Sequence, residues 1–235
     1  MTTTPATTPD GQVLPAVHAT LAMRGLLPQA HLVDSGYVDA ANLVASAQDY
    51  GVDLVGPALA DTSWQARAAA GFATAWFTVD WEHQTATCPQ GQPSAQWLPG
   101  QDRYGQAVLT IRWAPATCRA CPQRAQCTTA RTEPRILRVR PPAQHQALQA
   151  ARQRQQTAAF RAQYALRAGV EGTLSQAVRG CGLRRNRYVG SAKTHLQHVL
   201  VATAVNLQRL GAWWEERAPA QTRQASFVTL LAHPA

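Results

Sequence analysis

The chain has 235 residues, of which 46% are hydrophobic and 15% charged, and it carries a formal net charge of +9. That length can bury one good core, or one domain with an insertion, and the apolar content excludes a disordered chain. No run of about eighteen consecutive apolar residues occurs, which argues against a membrane-spanning helix, and the stretch from Met1 to Asp10 has neither the basic nor the apolar region of a signal peptide.

The charge is unevenly placed. From Arg131 onward stand 16 of the 22 Lys and Arg residues but only four acids, Glu133, Glu171, Glu215 and Glu216, whereas the first 130 residues hold nine acids and six basic residues. A genome rich in arginine codons would explain which cation is used, not why one half is basic. A basic C-terminal half is the electrostatic footprint of a nucleic-acid binder.

In chain order, Thr8 or Asp10 can cap a helix over about 13–24, with Leu14, Val17 and Leu21 on one face and Gly25 ending it. Leu32-Val33 reads as a short buried strand leading to Asp34, and Gly36 turns the chain. Residues 38–50 have helical periodicity with Gly51 as the stop. The run 52–57 is a second strand, so the spacing predicts a right-handed parallel crossover. Residues 57–140 hold five of the seven tryptophans and four of the five cysteines. Their alternating runs at 75–81, 108–113 and 135–139 predict strands. Beyond Pro142 the pattern is helical over about 143–167, 169–181 and 191–216. On the last of these, Leu196, Val199, Leu200, Leu207 and Leu210 form an apolar face expected to pack on the sheet.

Tyr164, Arg167 and Glu171 stand at offsets of three and four, so a continuous helix would place them on one face; Gly169 is a point where it could break. Asp34 closes a short apolar run in His31-Leu32-Val33-Asp34-Ser35-Gly36-Tyr37, at the strand end where open α/β sheets hold ligands. A structural role as a cap or turn residue is the plainer reading of Asp34 taken alone, and an exposed Arg–Glu pair the plainer reading of Arg167 and Glu171. Asp39, Asp49 and Asp53 read as solvated or capping residues. Asp10 precedes a helix rather than ending a strand. His195 and His198, three apart and without a third ligand, read as surface residues.

Cys118 and Cys121 form a Cys-x2-Cys pair, with Cys127 shortly after and Cys88 well before. Four thiolates in turns rich in proline fit a tetrahedral structural zinc site, and a small β-rich region gains from such a brace. His83 is a substitute ligand; Cys181 stands apart. Disulfides, without a secretion signal to support them, and unligated thiols are the other readings. Arg184, Arg185, Arg187, Tyr188 and Lys193, bracketed by Gly182 and Gly190, can grip phosphates.

Together the segment around Asp34 and the Tyr164, Arg167, Glu171 series resemble the DDE transposases of bacterial insertion sequences. That family carries a tyrosine, arginine, glutamate and lysine signature around its last acid. The resemblance implies an α/β fold: a partial ribonuclease H-like core lacking its first strands over 1–56, a β-rich, zinc-binding insertion over 57–140, C-terminal helices completing the core over 141–218, and a tail over 219–235. It implies Asp34 and Glu171 as Mg2+ ligands, with Tyr164 and Arg167 assisting. Similar cysteines occur in the inserted region of related transposases. Where the family has its lysine this chain has Val178, with Arg179 beside it, so the phosphate contact passes to Arg179. The partners implied are DNA, as transposon ends, and a second copy or a full-length transposase, with a cytoplasmic, nucleoid-associated location and no membrane. The family's first aspartate has no counterpart, so the expectation is a truncated product, inactive alone and exposing a parallel sheet edge. The alternatives are a non-catalytic DNA-binding protein, an inhibitor of the full-length enzyme, or a zinc-braced module with a protein partner.

Overall fold

A computed structural model describes residues 2–68 and 71–217; the tail expected over 219–235 lies outside the described residues. The chain divides into two compact units, Asp10–Arg161 and a second made of Met1–Pro9 with the segment from Ala162 onward. Helix and small sheets are mixed, an α/β composition.

The first unit opens with α1 (Asp10–Met23), which buries Leu14 and His18, and ends near Gly25 at φ +64°. β1 (Ala30–Leu32) lies parallel to β2 (Asp53–Val55), with His31 opposite Leu54. Between them runs α2 (Ala40–Tyr50), capped by Asp39, whose carboxylate accepts from the Asn42 amide, and closed by Gly51 at φ +64°. The parallel strand–helix–strand order the spacing predicts is present, because a left-handed stop and a capping carboxylate bound a helix between two apolar runs. His18 Nε2 lies 3.0 Å from His31 Nδ1. Burial, which disfavours the cation, lowers the pKa of both, and the His31 charge adds to the effect on His18.

The β-rich region follows. After α3 (Trp64–Arg67), β3 (Thr78–Asp80) and β4 (Thr85–Thr87) form a hairpin; β5 (Gln96–Gln101), β6 (Ala107–Arg112) and, further on, β7 form an antiparallel sheet in that order. Two short helices, α4 (Pro115–Ala120) and α5 (Arg124–Cys127), precede β7 (Ile136–Val139). Phe77, Ala86, Leu109, Ile111, Trp113, Leu137 and Val139 make one core beneath these strands. Sequence alone misses β5, whose Pro99 and Gly100 look like breakers; at an edge a proline is tolerated because one side of the strand needs no donors.

The predicted helix over 143–167 is two helices. α6 (Pro142–Arg154) packs on α2, and Ala151 and Leu148 join a second core with Leu14, Val33, Val38, Leu54 and Ala58. The break comes at Thr157, whose hydroxyl accepts from the Phe160 amide and so starts α7 (Ala158–Ala165). Asp53, read as a solvated or capping acid, instead takes Arg154 Nη1 at 2.7 and 2.8 Å, while Arg154 Nη2 donates to the Leu54 carbonyl.

In the second unit, α8 (Ala168–Cys181) and α9 (Ser191–Trp214) pair as a hairpin. Their buried contact is Ala177 against Val201 and Val205. This corrects the apolar face read from the sequence: Leu196, Leu200, Leu207 and Leu210 are exposed, and the buried stripe is offset from them. The N-terminal segment joins this unit through the Thr3 hydroxyl, which bonds Nδ1 of both His195 and His198.

Candidate active site and nucleic-acid interface

Asp34 stands just beyond the C-terminal end of β1, where the Val33 amide continues the ladder to the Val55 carbonyl. It caps the single 3-10 turn Ser35–Tyr37, its Oδ1 accepting the Ser35 amide at 2.7 Å, and the residue is exposed.

Two glycines shape this turn: Gly36, where the sequence predicts the chain to turn, and Gly56, whose close approach the sequence does not signal. A Cβ on Gly56 would stand 2.6 Å from the Val33 carbonyl oxygen and 2.7 Å from Val38 Cγ2, so β2 can approach the Asp34 strand only with glycine there. A Cβ on Gly36 would stand 3.9 Å from Asp10 Oδ2, so the first residue of α1 comes close to the same turn. Such approaches are set by tertiary packing and leave no local sequence signal.

Glu171 lies in the first turn of α8 and belongs to the second unit. The helix expected to carry Tyr164, Arg167 and Glu171 on one face is interrupted at Leu166–Arg167, ahead of Gly169. There the Arg167 amide bonds the Tyr164 carbonyl in a tight turn, and Arg167 stands at the N-cap position ahead of α8. The offset of four survives: Arg167 Nη1 lies 3.0 Å from Glu171 Oε1. Tyr164 precedes the turn and is half-buried. Arg179 occupies the last turn of α8, exposed, where a cation complements the helix dipole.

The basic loop joins α8 to α9 between Gly182 at φ +64° and Gly190 at φ +101°. Arg184, Arg185, Arg187 and Tyr188 are exposed there, and Lys193 sits exposed in the first turn of α9. The loop is held by Gln197, a buried residue the sequence reading did not single out. Its Nε2 donates to the Arg185 carbonyl at 2.8 Å, and its Oε1 accepts the Arg187 amide at 3.0 Å. One side-chain amide thus fixes the backbone on both sides of Asn186 while leaving the guanidinium groups outward.

In the first unit, Cys88, Cys118, Cys121 and Cys127 line one small cavity of about 30 Å³. All are free thiols, as is Cys181. Burial pushes the Cys127 thiol up to about 11, against the opposing pull of Arg135. Among the described residues no group of three or more His, Cys, Asp or Glu side chains is drawn together closely enough to hold a metal ion. This applies to Asp34 and Glu171, each within its own unit, as well as to the thiols. Also among the described residues, no helix is long and apolar enough to cross a membrane.

The sites therefore define a mixed α/β protein with a cysteine-lined β-rich region and a basic, acid-bearing helical hairpin. Residues 87–211, more than half the chain, match the transposase DDE domain family, and the chain belongs to it. The match includes the four cysteines, Tyr164, Arg167, Glu171 and the basic loop; Asp34 lies outside it. No curated protein and no solved structure matches the chain. Membership supports a role in DNA transposition, in a family that typically uses a divalent metal.

Proposed function

We propose that this chain acts on the DNA of a bacterial insertion sequence, with Asp34 and Glu171 each supplying a carboxylate to the family's divalent-metal chemistry. The observation that carries the reading is the family match across the segment in which Arg167 and Glu171 form their 3.0 Å pair. The fold that goes with it is a ribonuclease H-like core over 1–56 and 141–218 interrupted by the β-rich insertion over 57–140. Mg2+, when bound, would activate the attacking oxygen and stabilise charge on the transferred phosphate. Among the described residues, neither unit by itself draws together an acid set that fits the ion.

The chain's own residues bind and orient. Arg167 holds Glu171 at one end of α8, and Tyr164 and Arg179 serve as phosphate or substrate contacts. Arg184, Arg185, Arg187 and Lys193 grip the DNA backbone, a contact that neutralises phosphates and releases counterions. Because no groove-reading motif accompanies these residues, their contribution is affinity rather than sequence discrimination. With two acids assigned, residues 1–235 alone are expected to bind DNA without cutting it.

A second reading, a non-catalytic DNA-binding protein that inhibits a full-length transposase, is favoured by one observation: Glu171 is already engaged by Arg167. DNA-binding titrations over a range of salt, with and without Mg2+, separate the two. In the first reading Mg2+ strengthens the DNA complex several-fold, and Asp34→Asn or Glu171→Gln removes that response. Binding indifferent to Mg2+ and to both substitutions would establish the second. Mg2+-dependent cleavage by the chain alone, lost in Asp34→Asn, would overturn the expectation of binding without cutting.

A further inference from the structure

The antiparallel sheet β5–β6–β7 has two unlike faces. Leu109, Ile111, Leu137 and Val139 turn inward to the core, so the residues alternating with them face outward. The register sets Leu98, Thr110 and Arg138 in one row across the outer face, with Gly100 paired to Val108 beside them. These residues line an open groove of about 540 Å³ that runs on to the β5–β6 turn, where Arg103 and Tyr104 complete it. That volume falls within the range of about 300–1,000 Å³ usual for organic ligands. Gly100 leaves the floor open: a Cβ there would meet no atom within 4 Å, so packing does not require the glycine.

The turn presents its aromatic ring on a fixed base. Asp102 Oδ1 accepts the Tyr104 amide at 2.9 Å and the Gln106 amide at 3.0 Å. Arg140 holds Asp102 Oδ2 at 2.9 Å and donates through Nη1 to the Ala107 carbonyl at 3.2 Å. On this base Tyr104 is 72% exposed, and the Arg103 guanidinium carbon stands 4.7 Å from its ring centroid. A ring left in water on a pinned turn adds nothing to packing, and with a guanidinium beside it forms a stacking platform that carries a cation. The charge of the groove agrees. Among the described residues, the ion pairs of this sheet join Arg140 to Asp102 and Arg112 to Glu133, and neither Arg103 nor Arg138 at the groove has an acidic partner.

We propose that this groove binds unpaired nucleotides of a single nucleic-acid strand, with Tyr104 stacking on a base and Arg103 and Arg138 contacting the flanking phosphates. An unpaired base offers a free π-face, whereas in a duplex neighbouring base pairs cover both faces, so the ring selects the single strand. Leu98 and Val108 give the base apolar walls, and stacking with phosphate contacts reads no particular sequence. The groove lies wholly within the first unit, apart from the basic loop, and calls on no metal at Asp34 or Glu171.

The test compares two labelled probes on the full chain by fluorescence anisotropy, a deoxythymidine oligonucleotide of about 16 nucleotides and a duplex. The quantity read is the ratio of single-strand to duplex affinity. Tyr104→Ala should lower it about tenfold, the loss of one base stack, and Tyr104→Phe should keep it. Gly100→Val fills the floor with a strand-favouring residue and should lower the ratio although no charge is removed. Arg138→Gln should reduce the salt slope of single-strand binding by about 0.7, one phosphate contact. All three positions are exposed, so Tm should hold. Should a variant unfold, photocross-linking of a halogenated-uracil strand to the unaltered chain decides: a cross-link at Tyr104 supports the proposal, and cross-links confined to Arg184, Arg185, Arg187 and Lys193 overturn it. A ratio unmoved by Tyr104→Ala and Gly100→Val in folded chains would overturn it too, as would a groove that takes polyglutamate in preference to the oligonucleotide. Loss of the Mg2+ response in Asp34→Asn or Glu171→Gln should leave the ratio unchanged, so the two readings stand or fall separately.

Discussion

The β-rich region and the α8–α9 hairpin both fall within the family match, yet they are held in different ways. Beneath the strands, seven buried apolar residues make a continuous core, and Ile111 is completely excluded from solvent. Among the described residues the hairpin's buried apolar contact is Ala177, Val201 and Val205, and polar bonds add to it: Gln197 to the loop backbone on either side of Asn186, and Arg209 Nη2 of α9 to the Thr173 hydroxyl of α8. Packing energy thus sits where the cysteines are, and hydrogen-bond geometry sits where the arginines of the basic loop are. The first arrangement resists deformation; the second places side chains without burying them.

The largest effect expected from this contrast is in the core. Ile111→Ala removes atoms from a site with no solvent access and should destabilise the first unit by about 3–4 kcal/mol. Val205→Ala, in the hairpin's small contact, should cost about 1.5 kcal/mol, from two lost methyl groups. Chemical denaturation followed by tryptophan fluorescence reads the first, because five of the seven tryptophans lie between Trp64 and Trp113. Helical circular dichroism reads the second. Equal losses from the two substitutions would erase the distinction between the two regions.

Gln197→Ala comes next. It leaves the Arg185 carbonyl and the Arg187 amide without their buried partner, at about 1–2 kcal/mol. If the clamp positions the loop, DNA affinity should fall several-fold although no charge has been removed. Gln197→Glu, which keeps the acceptor toward Arg187 but loses the donor toward Arg185, should fall in between. Unchanged binding in both would mean that the arginines act as a mobile cationic tether.

What the sequence made legible follows the same division. Elements fixed by local rules were readable: Gly51 as a left-handed stop, Asp39 as a cap, and the apolar runs that pair as β1 and β2. The break at Thr157 obeys a local rule too, because a capping hydroxyl begins α7, but the helical pattern on either side hid it. β5 stayed hidden because only its place at the edge of the sheet makes Pro99 acceptable. Of the site, the motif-bearing residues were visible in order and spacing. Gly56 and Gln197 were not, since each acts on atoms well away in sequence and neither has a distinctive neighbour pattern. The grouping of Thr3 with His195 and His198 was beyond reach for the same reason.

The smallest stability effect should come from the pair on which the functional reading leans most. Arg167 and Glu171 are four apart, the arginine partly buried and the acid exposed, a geometry worth about 0.3–0.5 kcal/mol. Glu171→Gln keeps the side-chain shape and a neutral acceptor for Arg167, so the melting temperature should barely move. If Glu171 is only a helix-surface partner, nothing else should change, and Arg167→Gln should look the same. If its carboxylate serves the metal chemistry, the Mg2+ response of DNA binding disappears in Glu171→Gln while the fold stays intact. Arg167→Gln should then leave a weakened response, since the acid loses its partner but not its charge. A stability loss of several kcal/mol in Glu171→Gln would show the acid to be structural, because an ion pair whose acid faces solvent cannot supply so much.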